Sequence, residues 1–141
     1  MLLQKDKGRE MRKTLFIPVL LALAACTGVP DSINDDKVFF AFDSAVITDT
    51  ANKDLHSQSL YMKVNRDVNV LLEGHCDERG STEYNLALGA LRAGNAAHVL
   101  IKDGIEPSRI QTISYGKERP QYPGTGEKVW AKNRNVTTKV K

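Results

Sequence analysis

The segment Glu73 to Ser81, EGHCDERGS, sets a histidine, a cysteine and an aspartate side by side. These side chains serve nucleophilic hydrolases and zinc sites, so a thiol- or metal-dependent hydrolase at His75, Cys76 and Asp77 is one functional reading. A thiol nucleophile needs an imidazole within hydrogen-bond reach of its sulfur and a further group to orient that imidazole. The preceding residues, VNVLLEGHC (68–76), have the composition of a strand, and consecutive strand residues point to opposite faces. One face would carry Val68, Val70, Leu72, Gly74 and Cys76; the other would carry Asn69, Leu71, Glu73, His75 and Asp77. Extension therefore drives the sulfur and the imidazole apart. The remaining histidines, His56 and His98, fall on separate predicted helices, and no second Cys/His pair stands at metal-site spacing. Cys76 is expected in the core and His75 on the polar side, at the surface or lining a groove. No catalytic residue, metal or cofactor is expected.

A second constellation is better placed for chemistry. Asn85, Leu88 and Arg92 recur along one stripe of a predicted helix, beside its apolar face. The turn that carries Asp77 and Arg79 leads directly into this helix. A loop carboxylate and a helix guanidinium would then flank a groove floored by Leu88, or would pair with each other as an internal salt bridge. The first arrangement suits the zwitterionic end of an amino acid, whose ammonium needs a carboxylate and whose carboxylate fits the arginine fork.

The elements that must hold these residues follow from periodicity. VFFAF (38–42) reads as a short strand. TDTANKDLHSQSLYMKVN (48–65) reads as a helix with Thr48 as N-cap and Ala51, Leu55, Ser59 and Met62 on one face. A strand over 68–76 precedes a long helix over 82–102, capped by Ser81 or Thr82 and stopped by Gly104. Its predicted apolar stripe is Leu86, Ala90, Ala93, Ala97, Leu100 and Ile101, where the alanines allow close approach to a sheet. A strand over 109–116, a Pro/Gly-rich loop, a helical turn in VWAKN and a closing strand over 135–141 complete the order β-α-β-α-β-β. That order predicts an α/β fold, a two-layer sandwich with a sheet of about four strands.

The N-terminal residues read differently. A basic run with Lys5, Lys7, Arg9, Arg12 and Lys13 precedes LFIPVLLALAA and then Cys26. Eleven apolar residues are too few for a bilayer span, which needs about 20, but they fit a signal peptide over 1–25. Met11 opens a complete signal of its own. The chain of 141 residues has a formal charge of +3, and residues 1–25 hold five Lys/Arg against two Asp/Glu. The remainder is therefore neutral, with no net field to hold nucleic acid phosphates. LAAC (23–26) resembles the bacterial lipobox, which implies lipidation of Cys26, and Thr27 after it favours the outer membrane. Acylated Cys26 would leave Cys76 no disulfide partner. TGVPDSINDDK (27–37) reads as a tether, so the expected divisions are 1–25, 26–37 and 38–141.

Three longer matches carry a family resemblance. EGHCDERGSTEYNLALGALRA, SYGKERP and AKNRN together closely resemble the peptidoglycan-associated lipoproteins and, more widely, the OmpA-like C-terminal domain. The resemblance runs from about Val38 to the C-terminus. It implies an OmpA-like domain that binds peptidoglycan non-covalently through the meso-diaminopimelate of its stem peptide. By position, Asp77 would take the ammonium and Arg92 the carboxylate; Arg79, Asn85 and Leu88 would line the groove, and Phe42 and Asp43 would complete it. It also implies a lipid-anchored protein of the outer membrane facing the periplasm, with TolB and other Tol proteins as partners in the Tol-Pal system. A stator-like protein would retain a membrane helix instead of a lipobox, and a porin would need a barrel. Leu91, Gly94 and Asn135 depart from the family pattern, Leu91 as an exposed leucine and Gly94 at about 1 kcal/mol of helix propensity against alanine.

Overall fold

A computed structural model describes residues 28–141. The expected signal peptide over 1–25 and the lipidation residue Cys26 lie outside the described residues. In chain order the elements are β1 (Lys37–Phe39), α1 (Asp49–Val64), β2 (Val70–His75), α2 (Thr82–Lys102), a 3₁₀ turn (Pro107–Arg109), β3 (Ile110–Gly116), α3 (Glu127–Asn133) and β4 (Asn135–Val140). They build the predicted α/β fold, with α3 where a helical turn was expected.

The sheet order is β1-β4-β2-β3. Strands β2 and β3 are parallel, joined by α2 as the crossover, and β4 inserts antiparallel between β1 and β2. Both expected N-caps are present: Thr48 accepts from the Ala51 amide and Ser81 from the Tyr84 amide, each at 3.1 Å. Val70 and Leu72 of β2 meet Leu55 and Met62 of α1 and Ala93, Ala96 and Leu100 of α2 in one core. Each large side chain buried there stabilises the fold by about 1.5–3 kcal/mol.

Four expectations need correction. The tether is shorter than 26–37: Ile33 is fully buried, and Asp35 and Asp36 bond the Thr138 backbone, so the packed domain begins before residue 38. Strand β1 ends at Phe39, not Phe42, because the next carbonyls turn toward buried arginines. The buried face of α2 is Asn85, Gly89, Arg92, Ala93, Ala96, Ala97 and Leu100, while Leu86, Ala90 and Ile101 are exposed. Apolar spacing alone missed this because two of its buried positions hold polar side chains with internal partners. His75 is buried at 3% exposure, not a surface residue, because the loop after β3 lays Gln121 against it. Among the described residues no helix is long and apolar enough to cross a membrane.

The crossover packs backbone against backbone. A Cβ placed on Gly74 would lie 2.0 Å from the Gly89 carbonyl oxygen, and one on Gly89 would lie 2.2 Å from Ser114 Oγ. A Cβ on Gly94 would meet nothing within 4 Å. Gly74→Ala is therefore expected to destabilise the fold by about 3 kcal/mol in urea denaturation, whereas Gly94→Ala should stabilise it by up to about 1 kcal/mol.

Candidate functional site

The groove forms where the ends of β1 and β2 meet the start of α2. Arg92, 1% exposed, is the largest fully buried side chain, and four of its N–H groups have partners among the described residues. Nε donates to the Ser44 carbonyl at 2.8 Å and Nη2 to the Ala41 carbonyl at 3.1 Å. Nη1 donates to the His75 carbonyl at 2.9 Å and to Cys76 Sγ at 3.5 Å. One helix side chain thus ties the loop after β1 to the end of β2.

Arg134 adds a second fastening, its Nε donating to the Phe40 carbonyl at 3.0 Å. Between these ties the chain turns through Asp43, whose φ of 52° lies in the left-handed region, and Phe42 projects with 58% exposure. The Tyr84 hydroxyl donates to the Asp43 carboxylate across the mouth, and this raises the tyrosine pKa.

Asp77, 5% exposed, sits between guanidinium groups. The Arg79 amide donates to Oδ1 at 3.0 Å, Arg79 Nε to Oδ1 at 3.1 Å and Arg79 Nη2 to Oδ2 at 2.8 Å. Arg134 Nη1 reaches Oδ2 at 3.4 Å, and its Nη2 holds Glu127 at 2.7 Å. Burial pushes the Asp77 carboxyl up, but the hydrogen bonds and charge of Arg79, joined by Arg134, outweigh it and hold the carboxyl below its usual range. The Arg79 guanidinium lies between two rings, 3.9 Å from the Phe42 centroid and 4.0 Å from that of Trp130. Asn85 closes the turn beneath it, donating to the Arg79 and Ser81 carbonyls at 2.7 and 3.0 Å.

All seven sequence-predicted residues line one groove of about 230 Å³: Phe42, Asp43, Asp77, Arg79, Asn85, Leu88 and Arg92. The internal Asp77–Arg92 salt bridge is not formed; Asp77 pairs with Arg79 and Arg134 instead. Sequence reasoning missed Tyr84, Arg134 and Trp130. Arg134 lies within the AKNRN match, which carried a signal without a role. Leu91 is exposed as expected, and Asn135 is buried, donating to Gln121 Oε1 at 2.7 Å and the Lys132 carbonyl at 2.8 Å.

The His-Cys pair does diverge. Cys76 donates to the Asn85 carbonyl at 3.3 Å, and burial pushes its thiol up despite Arg92 beside it. His75 leaves the opposite face, its ring 5.5 Å from Tyr115 and its Nε2 3.5 Å from Gln121 and 3.7 Å from Glu73. No group of His, Cys, Asp and Glu among the described residues is arranged to hold a metal ion.

The OmpA family profile matches residues 39–134. The chain belongs to the OmpA family. Within it, the chain is 43% identical over 103 residues to the peptidoglycan-associated lipoprotein of Mesorhizobium japonicum, covering 73% of this chain and 61% of that protein. It is 37% identical to that of Brucella melitensis, covering 84% of this chain and 74% of the relative. The chain thus spans under two thirds of the length of the first relative. The crystal structure of the peptidoglycan-associated lipoprotein from Burkholderia pseudomallei superposes with a TM-score of 0.72 at 35% identity, covering 74% of this chain and 89% of that one. The C-terminal domain of Helicobacter pylori MotB shares the fold, with a TM-score of 0.70 at 22% identity, covering 75% and 84%.

Burial in this site sets two expectations. Desolvation lowers the His75 pKa against the raising effect of Glu73. The folded chain then binds fewer protons than the unfolded one, so stability present above the unfolded histidine value of about 6.5 declines as pH falls through it. Urea midpoints measured from pH 7.5 to 5 should fall, and His75→Gln should flatten that slope. Arg92→Ala should destabilise strongly, since each buried carbonyl left unpaired costs on the order of 1–3 kcal/mol; the urea midpoint reads this as well.

Proposed function

We propose that this chain is a non-catalytic anchoring lipoprotein whose groove binds peptidoglycan through the zwitterionic end of meso-diaminopimelate in the stem peptide. The observation that carries this reading is the single groove lined by Asp43 and Asp77 together with Arg79 and Arg92. A carboxylate faces an ammonium and a guanidinium fork faces a carboxylate, over an apolar floor from Leu88 and an aromatic edge from Phe42. In this reading Asp77 takes the ammonium. Arg92 takes the carboxylate, with one Nη2 N–H beyond the bonds described above. The names of the relatives, peptidoglycan-associated lipoproteins, support the same ligand.

The anchoring half of the proposal places Cys26 under acyl chains in the outer membrane, with the domain in the periplasm. About 0.8 kcal/mol per buried CH₂ makes several chains a stable anchor. Charge-assisted hydrogen bonds of about 1.5–3 kcal/mol each, less the cost of ordering, give a weak and reversible hold on the wall. Many copies would then act together while each lets go. TolB and other Tol proteins are the proposed partners, in a Tol-Pal system that supports envelope integrity and cell division.

Co-sedimentation of the purified chain with diaminopimelate-type peptidoglycan tests the ligand. Asp77→Asn keeps the side chain's shape and removes its charge, and should lower the bound fraction by about tenfold or more, the scale of one charged hydrogen bond. Circular dichroism of the same variant should match the parent. A variant that pellets like the parent would remove Asp77 from the site.

A further inference from the structure

We infer that the cleft at the end of the domain opposite the groove, lined by Lys63, Arg66 and Arg109, seats a phospholipid headgroup phosphate of the membrane that anchors the chain. The inference rests on the proposed acylation of Cys26 and adds a second, direct contact between the domain and the lipid surface.

Two observations meet at this end. The first is where the chain enters the domain. Ile33 is fully buried, and Val29 and Pro30 before it are already half-buried. Cys26 precedes Val29 by only three positions, a span of at most about 11 Å when extended. The Asn34 side chain accepts from the Val140 amide, Val140 pairs with Val70, and Val70 pairs with Ile110. This row crosses the sheet where β2 begins, and an acylated Cys26 draws it toward the membrane. The groove lies at the other end, where β2 finishes and α2 starts. Helix α2, 21 residues long, sets the two ends about 30 Å apart at 1.5 Å per residue.

The second observation is the cleft itself, about 430 Å³, formed by Lys63, Arg66, Gly104, Ile105, Glu106 and Arg109. It adjoins the same row, because Arg109 immediately precedes Ile110. Helices α1 and α2 both end here, and the carbonyls of a helix end attract cations. Arg109 meets that need at α1, its Nε and Nη2 donating to the Met62, Asn65 and Val68 carbonyls at 2.7 to 3.0 Å. Its Nη1 has no acceptor among the described residues. Lys63 and Arg66 are exposed, and among the described residues neither has a carboxylate within 4.0 Å. Three cations therefore face one carboxylate, that of Glu106, and exposed Val64 stands next to Lys63 in the chain. A phosphate diester supplies the acceptor oxygens and the negative charge that these groups lack. An apolar side chain beside them suits the boundary between headgroups and acyl chains.

Amide chemical shifts of the full chain test this, with Gly104 and Ile105 reporting on the cleft and Leu88 on the groove. Phosphatidylcholine bicelles containing phosphatidylglycerol should move the first two and leave Leu88 in place. Inorganic phosphate at the same phosphate concentration should move them far less. Lys63→Glu combined with Arg66→Glu should weaken the apparent affinity for the bicelles at least tenfold, since each cation at an anionic surface is worth about fivefold. Glu106→Gln should strengthen it, and Lys53→Glu, ten residues earlier on α1, should change it less than twofold. Residues 1–25 are common to parent and variants, so they do not contribute to these ratios. Cleft amides that ignore the bicelles, or a double variant that binds as the parent does, overturn the headgroup contact while the anchor stands. Equal movement with inorganic phosphate overturns the membrane as the source of the ligand. A chain purified from cell membranes with no acyl mass on Cys26 overturns the anchor, and the contact falls with it.

Discussion

The buried guanidinium of Arg92 is the constraint on which the site depends. A charge taken out of water must find partners, and here they are three backbone carbonyls from two separated stretches, Ala41 and Ser44 on one side and His75 on the other. Loop carbonyls are poor at holding one another, because they accept and do not donate. A planar group with donors on several edges joins them as no apolar residue could. The loop after β1 therefore has a fixed shape without regular structure of its own, and Phe42 and Asp43 are carried in that shape to the groove mouth. Strand β1 stops at Phe39 for the same reason: beyond it, the carbonyls of Phe40 and Ala41 belong to Arg134 and Arg92.

A second consequence concerns charge. Arg92 and Arg134 bring two positive groups close to Asp77, and Glu127 and Asp43 supply the opposing sign at the rim. Buried ion pairs are weak evidence of stability, because desolvation offsets much of their attraction. What they supply here is position. Asp77 is held by Arg79, whose guanidinium lies against the Phe42 and Trp130 rings, and by Arg134, and these partners keep its carboxylate ionised.

Much of this was legible in the sequence. Alternation in VNVLLEGHC placed Cys76 inward, and the Asp77, Asn85, Leu88 and Arg92 spacing set a turn beside a helix stripe, leaving a groove and an internal salt bridge both open until the family resemblance favoured the groove. The helices and their caps also followed from local signals, since Thr48 and Ser81 act within a few residues of themselves. What could not be read was whatever depends on distant partners. The buried face of α2 includes Asn85 and Arg92 because carbonyls from other segments satisfy them, and periodicity of apolar residues cannot register such satisfaction. Arg134 reaches Phe40 across 94 positions, and Gln121 covers His75 from a loop whose composition says only that it turns. Ile33 joins the core although the residues around it have the composition of a tether, because β4 offers its Thr138 backbone to Asp35 and Asp36.

The topology also bears on how such a domain would carry load. In the proposed anchoring role, tension enters at the N-terminal end of the domain and leaves through a ligand held by Asp77. Between those points the path runs from the 33–39 segment into β4 and from β4 into β2, across two antiparallel ladders. Strand β4 is thus the bridge between the anchored end and the groove, and it lies inside the sheet with partners on both edges. Its residues Asn135 to Thr138 are buried on both faces, an arrangement that keeps water from competing for the ladder hydrogen bonds. Arg92 adds a second bridge, independent of the sheet, from the loop after β1 to the end of β2. A ligand bond resting on single charged contacts is weaker than either path, so the ligand should release before the domain yields. That ordering of strengths is what a reversible attachment requires, and it follows from inserting β4 between β1 and β2.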